Sequence, residues 1–231
     1  MQQFLKIISA RLTLSLLSLC FFLFFIVVGI LTYGPIAGVE LHYQYNRVLH
    51  QVFHAHDLRS LILPTIHFEI ITAQHPEFGI VIPKLYLDEP VLFNIDPRNP
   101  DEYKAALKKG IAQAAGTAFP PYAGLGYYFA HSSTPDLRNQ YNAVFYLLGK
   151  LEKGDEVDLW YQNTKYEYLV TDKVVTQPDD LNFLNKTYPL PTVVLQTCWP
   201  PGTTLKRLLI FAERRVRTEI NYRNLEKDHQ T

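Results

Sequence analysis

The sequence predicts an all-β domain, an eight-stranded β-barrel with short helices, preceded by one N-terminal transmembrane helix. Three observations carry that expectation. From Phe78 onward the chain is a series of short β-branched and aromatic runs, each bounded by Pro, Gly, Asn or Asp. Only one brief helical stretch, near Asp101 to Lys109, interrupts them. Residues 12–31, LTLSLLSLCFFLFFIVVGIL, are apolar almost without a break.

The runs are FGIVIPKLYL, PVLFNI, GIAQ, GLGYYFAH, DEVDLWY, YEYLVTDKVV, TVVLQTC and RLLIFAER. So many short strands with so little helix favour closure into a barrel, which removes the exposed sheet edges. Ahead of them, twenty helical residues rise about 30 Å, the thickness of a bilayer's hydrocarbon core. Lys6 and Arg11 precede the apolar run, which puts the N-terminus in the cytoplasm and the rest outside. A cleaved signal would have an apolar region of about 7–15 residues and a better cleavage site than Ala37 and Gly38 provide.

Gly34, Pro35 and Gly38 are expected to break the membrane helix. From Val39 to Leu63 there is no Gly or Pro, and apolar residues recur at Leu41, Tyr45, Val48, Leu49, Val52 and Phe53, as in an amphipathic stalk. The expected organisation is a cytoplasmic tail (1–11), an anchor (12–33), a linker and helical stalk (34–77), the barrel domain (78–215) and a charged tail (216–231).

Lys+Arg and Asp+Glu balance at 22 each, and no basic stripe interleaves with aromatics, so nothing points to nucleic acid. There are 2 cysteines, Cys20 in the apolar run and Cys198 in the barrel. A disulfide needs Cα atoms within about 7 Å, which a thiol in lipid and one in a separate domain do not achieve. The exported part therefore carries a single free thiol, and a chemical role for it has to be weighed against simple burial.

Cys198 ends one strand-like run and Arg207 begins the next, with Pro200, Pro201 and Gly202 turning the chain between them. Consecutive strands joined this way pair antiparallel, bringing thiol and guanidinium together. A neighbouring cation favours thiolate, and a guanidinium can donate to an oxyanion. Upstream, alternation puts Tyr127, Phe129 and His131 on one face of a strand that His131 ends. Cysteine with histidine is a common pairing for acyl transfer.

These residues carry a resemblance. Over roughly Phe78 to Glu213 the chain resembles the sortases, through FGIVIPKL, EYKAALKKGIAQAAGTAFP, YYFAHSS, GDEVDLWY, LQTC and KRLLIFAE in that order. The Leu-x-Thr-Cys strand end with Arg207 nine residues after Cys198 is the most specific of these. The resemblance implies a cysteine transpeptidase acting through a thioacyl-enzyme. Cys198 attacks the Thr carbonyl of an LPXTG-like sorting signal, His131 is general acid and base, and Arg207 holds substrate and oxyanion. Thr197 and Trp199 shape the substrate-binding groove, and the loop from Gln177 to Pro191 closes over it. Implied partners are proteins bearing LPXTG-like signals and an amine acceptor such as a cell-wall precursor or pilin lysine. The implied location is the bacterial cytoplasmic membrane, single-pass, with the catalytic domain outside. His131-Ser132-Ser133 lacks the Arg or Asn that often follows the histidine, and neither an Asp-Pro-aromatic lid nor a second span is found, which favours a class D/E-like or housekeeping-like member.

No cofactor is implied. Some sortases bind calcium through loop acids; Asp179 and Asp180 stand in the relevant loop but read as a solvated turn. His50 and His54 have helical i, i+4 spacing, with His56 beyond, yet the Glu of an HExxH site is missing and no metal site is assigned. Asn185-Lys186-Thr187 fits a glycosylation sequon, a common tripeptide. Two other readings compete. An L,D-transpeptidase-like crosslinker would place His-Gly-Cys at the nucleophile, which Cys198 lacks. A non-catalytic membrane-tethered β-barrel binding module would leave Cys198 structural and inert.

Overall fold

The computed structural model describes residues 2–55, 73–132 and 143–215. It divides the chain into two units, 1–70 with 133–141 and 71–132 with 142–231. The first contains helix α1 (Gln2–Ala55), which runs straight through Gly34, Pro35 and Gly38. The expected break there is corrected. A proline inside a helix forfeits one backbone donor and crowds the preceding turn, a cost of about 3 kcal/mol that a helix of 54 residues can absorb. Side chains over the apolar stretch are described for residues 14–30, and they are mostly exposed. Among the described residues no helix is long and apolar enough to cross a membrane. Residues 56–72, the end of the expected stalk, and the tail 216–231 lie outside the described residues, as do the side chains of His50, His54 and His56.

The second unit is a closed barrel of eight strands in the order β1-β2-β3-β4-β7-β8-β6-β5. These are β1 (Phe78–Ile82), β2 (Leu87–Ile95), β3 (Ile111–Ala114), β4 (Leu125–Phe129), β5 (Glu156–Tyr161), β6 (Thr164–Thr176), β7 (Thr192–Trp199) and β8 (Lys206–Arg214). Pro83 ends β1 by opening a 3₁₀ turn, and Tyr86 follows in the left-handed region at φ 53°. Helix α2 (Pro100–Leu107) crosses from β2 to the parallel β3. It starts where it does because the Asn99 side chain accepts from the Asp101 and Glu102 amides, with Pro100 preset for the first turn.

Alternation decides which residues fill the barrel. Tyr128, Leu195 and Ile210 are register neighbours across β4, β7 and β8, and all are fully buried. Their neighbours along each strand therefore point to the outer face. On that face lie Tyr127 and Phe129 of β4, Gln196 and Cys198 of β7, and Arg207, Leu209 and Phe211 of β8.

Candidate active site

The β7–β8 hairpin sets Cys198 directly across from Arg207 as a register pair. Both side chains are partly exposed. The guanidinium is steered by its own turn, its Nη1 donating to the Thr204 carbonyl at 3.2 Å and the Lys206 carbonyl at 3.1 Å.

His131 arrives from the other side. β4 runs parallel to β7, pairing Phe129 with Gln196, and the ladder continues as the Ala130 amide donates to the Gln196 carbonyl at 3.2 Å. Two residues on from that pair stand His131, just past the end of β4, and Cys198 of β7. Two further bonds hold the end of β4. Thr197 Oγ1, only 2% exposed as a residue, donates to the Ala130 carbonyl at 2.9 Å. The Phe145 amide donates to the His131 carbonyl at 3.0 Å. The imidazole is half-buried, and that burial lowers its pKa below the ordinary histidine value.

Trp199, the next residue, takes the opposite face and packs on the barrel core. A Cβ at Gly149 would come within 2.7 Å of its ring, so the absence of a side chain there is what admits the indole. The 3₁₀ turn bearing Gly149 (Tyr146–Lys150) is clamped to β6 by Lys173, whose Nζ donates to the Gly149 and Leu151 carbonyls at 3.1 and 2.8 Å. Thr197 and Trp199, expected to line the groove, make these contacts on the interior side of β7.

The β6–β7 loop covers the outer face. Its short 3₁₀ helix Asn182–Asn185 inserts Phe183, whose ring meets Tyr127 at 5.5 Å and Phe211 at 6.1 Å between centroids. Asp180 accepts from Thr176 Oγ1 and from the Asn182 amide, so its carboxylate serves the turn. Among the described residues no group of three or more His, Cys, Asp and Glu is arranged to hold a metal. Sequence reasoning passed over Tyr127 and Gln196 as site residues. Both belong to the outer face, and the alternation leading to His131 and Cys198 was the signal that could have found them.

A thiol and a guanidinium paired across β7 and β8, with an imidazole just past the end of the neighbouring β4, suit acyl transfer. The family model for the sortase domain matches residues 80–215. The chain belongs to the sortase family. A sortase D of Bacillus subtilis (strain 168) is 24% identical over 147 residues, which is 60% of this chain and 66% of that protein. The chain thus spans just under two thirds of that relative. Sortase C-1 of Actinomyces oris is 26% identical, with a TM-score of 0.51 over 62% of this chain and 76% of the other. A pilus-related sortase C of Group B Streptococcus is 25% identical, with a TM-score of 0.52 over 62% of this chain and 69% of that one. The eight-stranded barrel is the sortase fold, and its enzymes are cysteine transpeptidases.

Proposed function

We propose that this sortase cleaves an LPXTG-like sorting signal and transfers the acyl group to an amine, with Cys198 as nucleophile, His131 as acid and base, and Arg207 as oxyanion donor. One observation supports the reading above all: Cys198 and Arg207 are register partners across β7–β8, and His131 follows two residues after the end of β4, the strand paired with β7. Cys198 Sγ gives its proton to His131 as it attacks the Thr carbonyl, and the electron pair moves onto oxygen beside the Arg207 guanidinium. The C–N bond then breaks as the leaving amine takes a proton from His131, leaving a thioester on Cys198. An incoming amine gives its proton to His131 as it attacks the thioester, and the expelled Cys198 thiolate takes that proton back. The β6–β7 loop, already seated on the outer face through Phe183, is placed to cover the peptide.

The same reading includes an N-terminal anchor over residues 12–33, with the cytoplasm before it and the barrel outside. Its support is the apolar sequence together with outward-facing Leu14, Phe21 and Phe24, which are 72%, 66% and 61% exposed on α1. Acceptor amines of the cell-wall or pilin-lysine type follow from the family. A class D/E-like or housekeeping-like assignment draws its support from the sortase D relative.

The test is to incubate the full chain with LPXTG-type peptides and look for a thioester on Cys198 by mass spectrometry. A covalent acyl adduct at Cys198, absent from Cys198→Ala, is expected. Peptide turnover near the wild-type rate in folded Cys198→Ala would show that another group is the nucleophile.

A further inference from the structure

Behind the catalytic row the outer face carries two more rows, Phe129–Gln196–Leu209 and Tyr127–Val194–Phe211. Successive rows lie about 6.6 Å apart along the strands. Among these six residues Gln196 is the one with a carboxamide, and Tyr127 contributes one phenol. The two are hydrogen-bonded to each other. Tyr127 is 5% exposed, framed by Phe129 at 5.5 Å and by Phe183 at 5.5 Å. Burial holds its phenol well above the ordinary range, while the Arg207 charge and the Gln196 bond oppose that only in part. It is therefore a neutral O–H at any physiological pH. Its row lies two rows back from the Cys198–Arg207 pair on the same outer face.

A carboxamide has two N–H donors and an acceptor oxygen with two lone pairs. One phenol satisfies only part of that capacity, and Gln196 is itself partly exposed. A peptide lying over this floor either meets the remaining capacity or strips water from it.

We propose that Tyr127 and Gln196 form a specificity subsite which, at one position upstream of the attacked carbonyl, selects a hydroxyl or carboxamide side chain over an aliphatic one of similar size. The proposal rests on the transpeptidase reading above. An aliphatic side chain seated there leaves amide groups unmet in an aromatic enclosure. Discrimination on the order of tenfold or more is expected for such a loss.

The experiment is a positional scan of LPXTG-type peptides on the full chain in detergent, comparing Thr with Val and Asn with Leu at each position upstream of the attacked residue. Wild type is expected to favour the polar member about tenfold in kcat/KM at one position, mainly through KM. Gln196→Leu is expected to invert that preference, and Tyr127→Phe to narrow it, with the rate of Cys198 alkylation unchanged in both. Gln196→Met, which keeps length and removes the amide, serves if the leucine variant fails to fold. A wild-type profile without a polar preference at any position overturns the proposal, whatever the variants do. Variant profiles that superimpose on wild type overturn it as well. Failure of wild type to acylate on any peptide would instead bring down the transpeptidase reading, and the subsite with it.

Discussion

Cys198 and Arg207 are register partners across the β7–β8 hairpin, and the guanidinium is anchored by its Nη1 to the Thr204 and Lys206 carbonyls of the connecting turn. Strand pairing brings the two residues together, and the turn holds the guanidinium by one edge. A planar fork with five N–H donors can spend one edge on the turn and still face an oxyanion with another.

Thr197→Val should loosen the join between β7, which carries Cys198, and the chain leading into His131. The hydroxyl is the group that bonds the Ala130 carbonyl, one residue before His131. Valine keeps the shape and leaves that buried carbonyl without the bond, at a cost of about 1–2 kcal/mol. The expected result is a lower urea midpoint together with a several-fold fall in kcat, because the bond that is lost sets the His131 position. A stability loss with kcat intact would make Thr197 a fold residue only.

Gly149→Ala should press on Trp199. Its Cβ would lie 2.7 and 2.8 Å from two atoms of the indole ring. Overpacking of this kind costs roughly 1–3 kcal/mol. Trp199→Leu makes room, so the double variant should be more stable than the sum of the two single losses predicts. Additive losses in urea unfolding would mean that the turn bearing Gly149 simply moves aside.

Much of the barrel was legible because its punctuation is local. Each of the eight strands falls on one of the runs bounded by Pro, Gly, Asn or Asp, apart from FGIVIPKLYL. There Pro83 opens a turn and the last residue joins the next run to make β2. The Cys198–Arg207 pairing was legible for the same reason, since a hairpin fixes its own neighbours. The parallel pairing of β4 with β7 was not, because it joins residues such as Phe129 and Gln196 that are distant in sequence. The place of His131 therefore came through the family resemblance. The continuous helix through Gly34 and Pro35 escaped because local breaker rules ignore how much helix stands on either side.

Acid should weaken the fold through His131. Its pKa is lowered by burial, while an unfolded histidine titrates near 6.5. Between the folded value and about 6.5 the unfolded chain binds more protons, so stability rises with pH there. The contribution is fully present above about pH 6.5 and is lost as pH falls toward the folded pKa. His131→Gln should flatten that part of the profile. Urea unfolding of both proteins from acid to neutral pH checks it, and parallel curves would show that His131 titrates alike in the folded and unfolded chains.

The last prediction divides the chemistry between His131 and Arg207. Arg207→Lys keeps the charge but loses the fork, including the edge now spent on the Thr204 and Lys206 carbonyls. Loss of an oxyanion donor costs on the order of 10²–10³ in turnover. Most acylation activity should vanish while Cys198 stays open to alkylation. His131→Ala fails at a different point, since no group then protonates the departing amine. A substrate whose leaving group departs without that proton, such as a thioester or activated ester, should recover much of the rate in His131→Ala and far less in Arg207→Lys. The measurement is the acylation rate of each variant on matched amide and ester substrates. Equal rescue of both would show that the two residues do not act at separate steps, and full amide activity in either would remove that residue from the catalytic row.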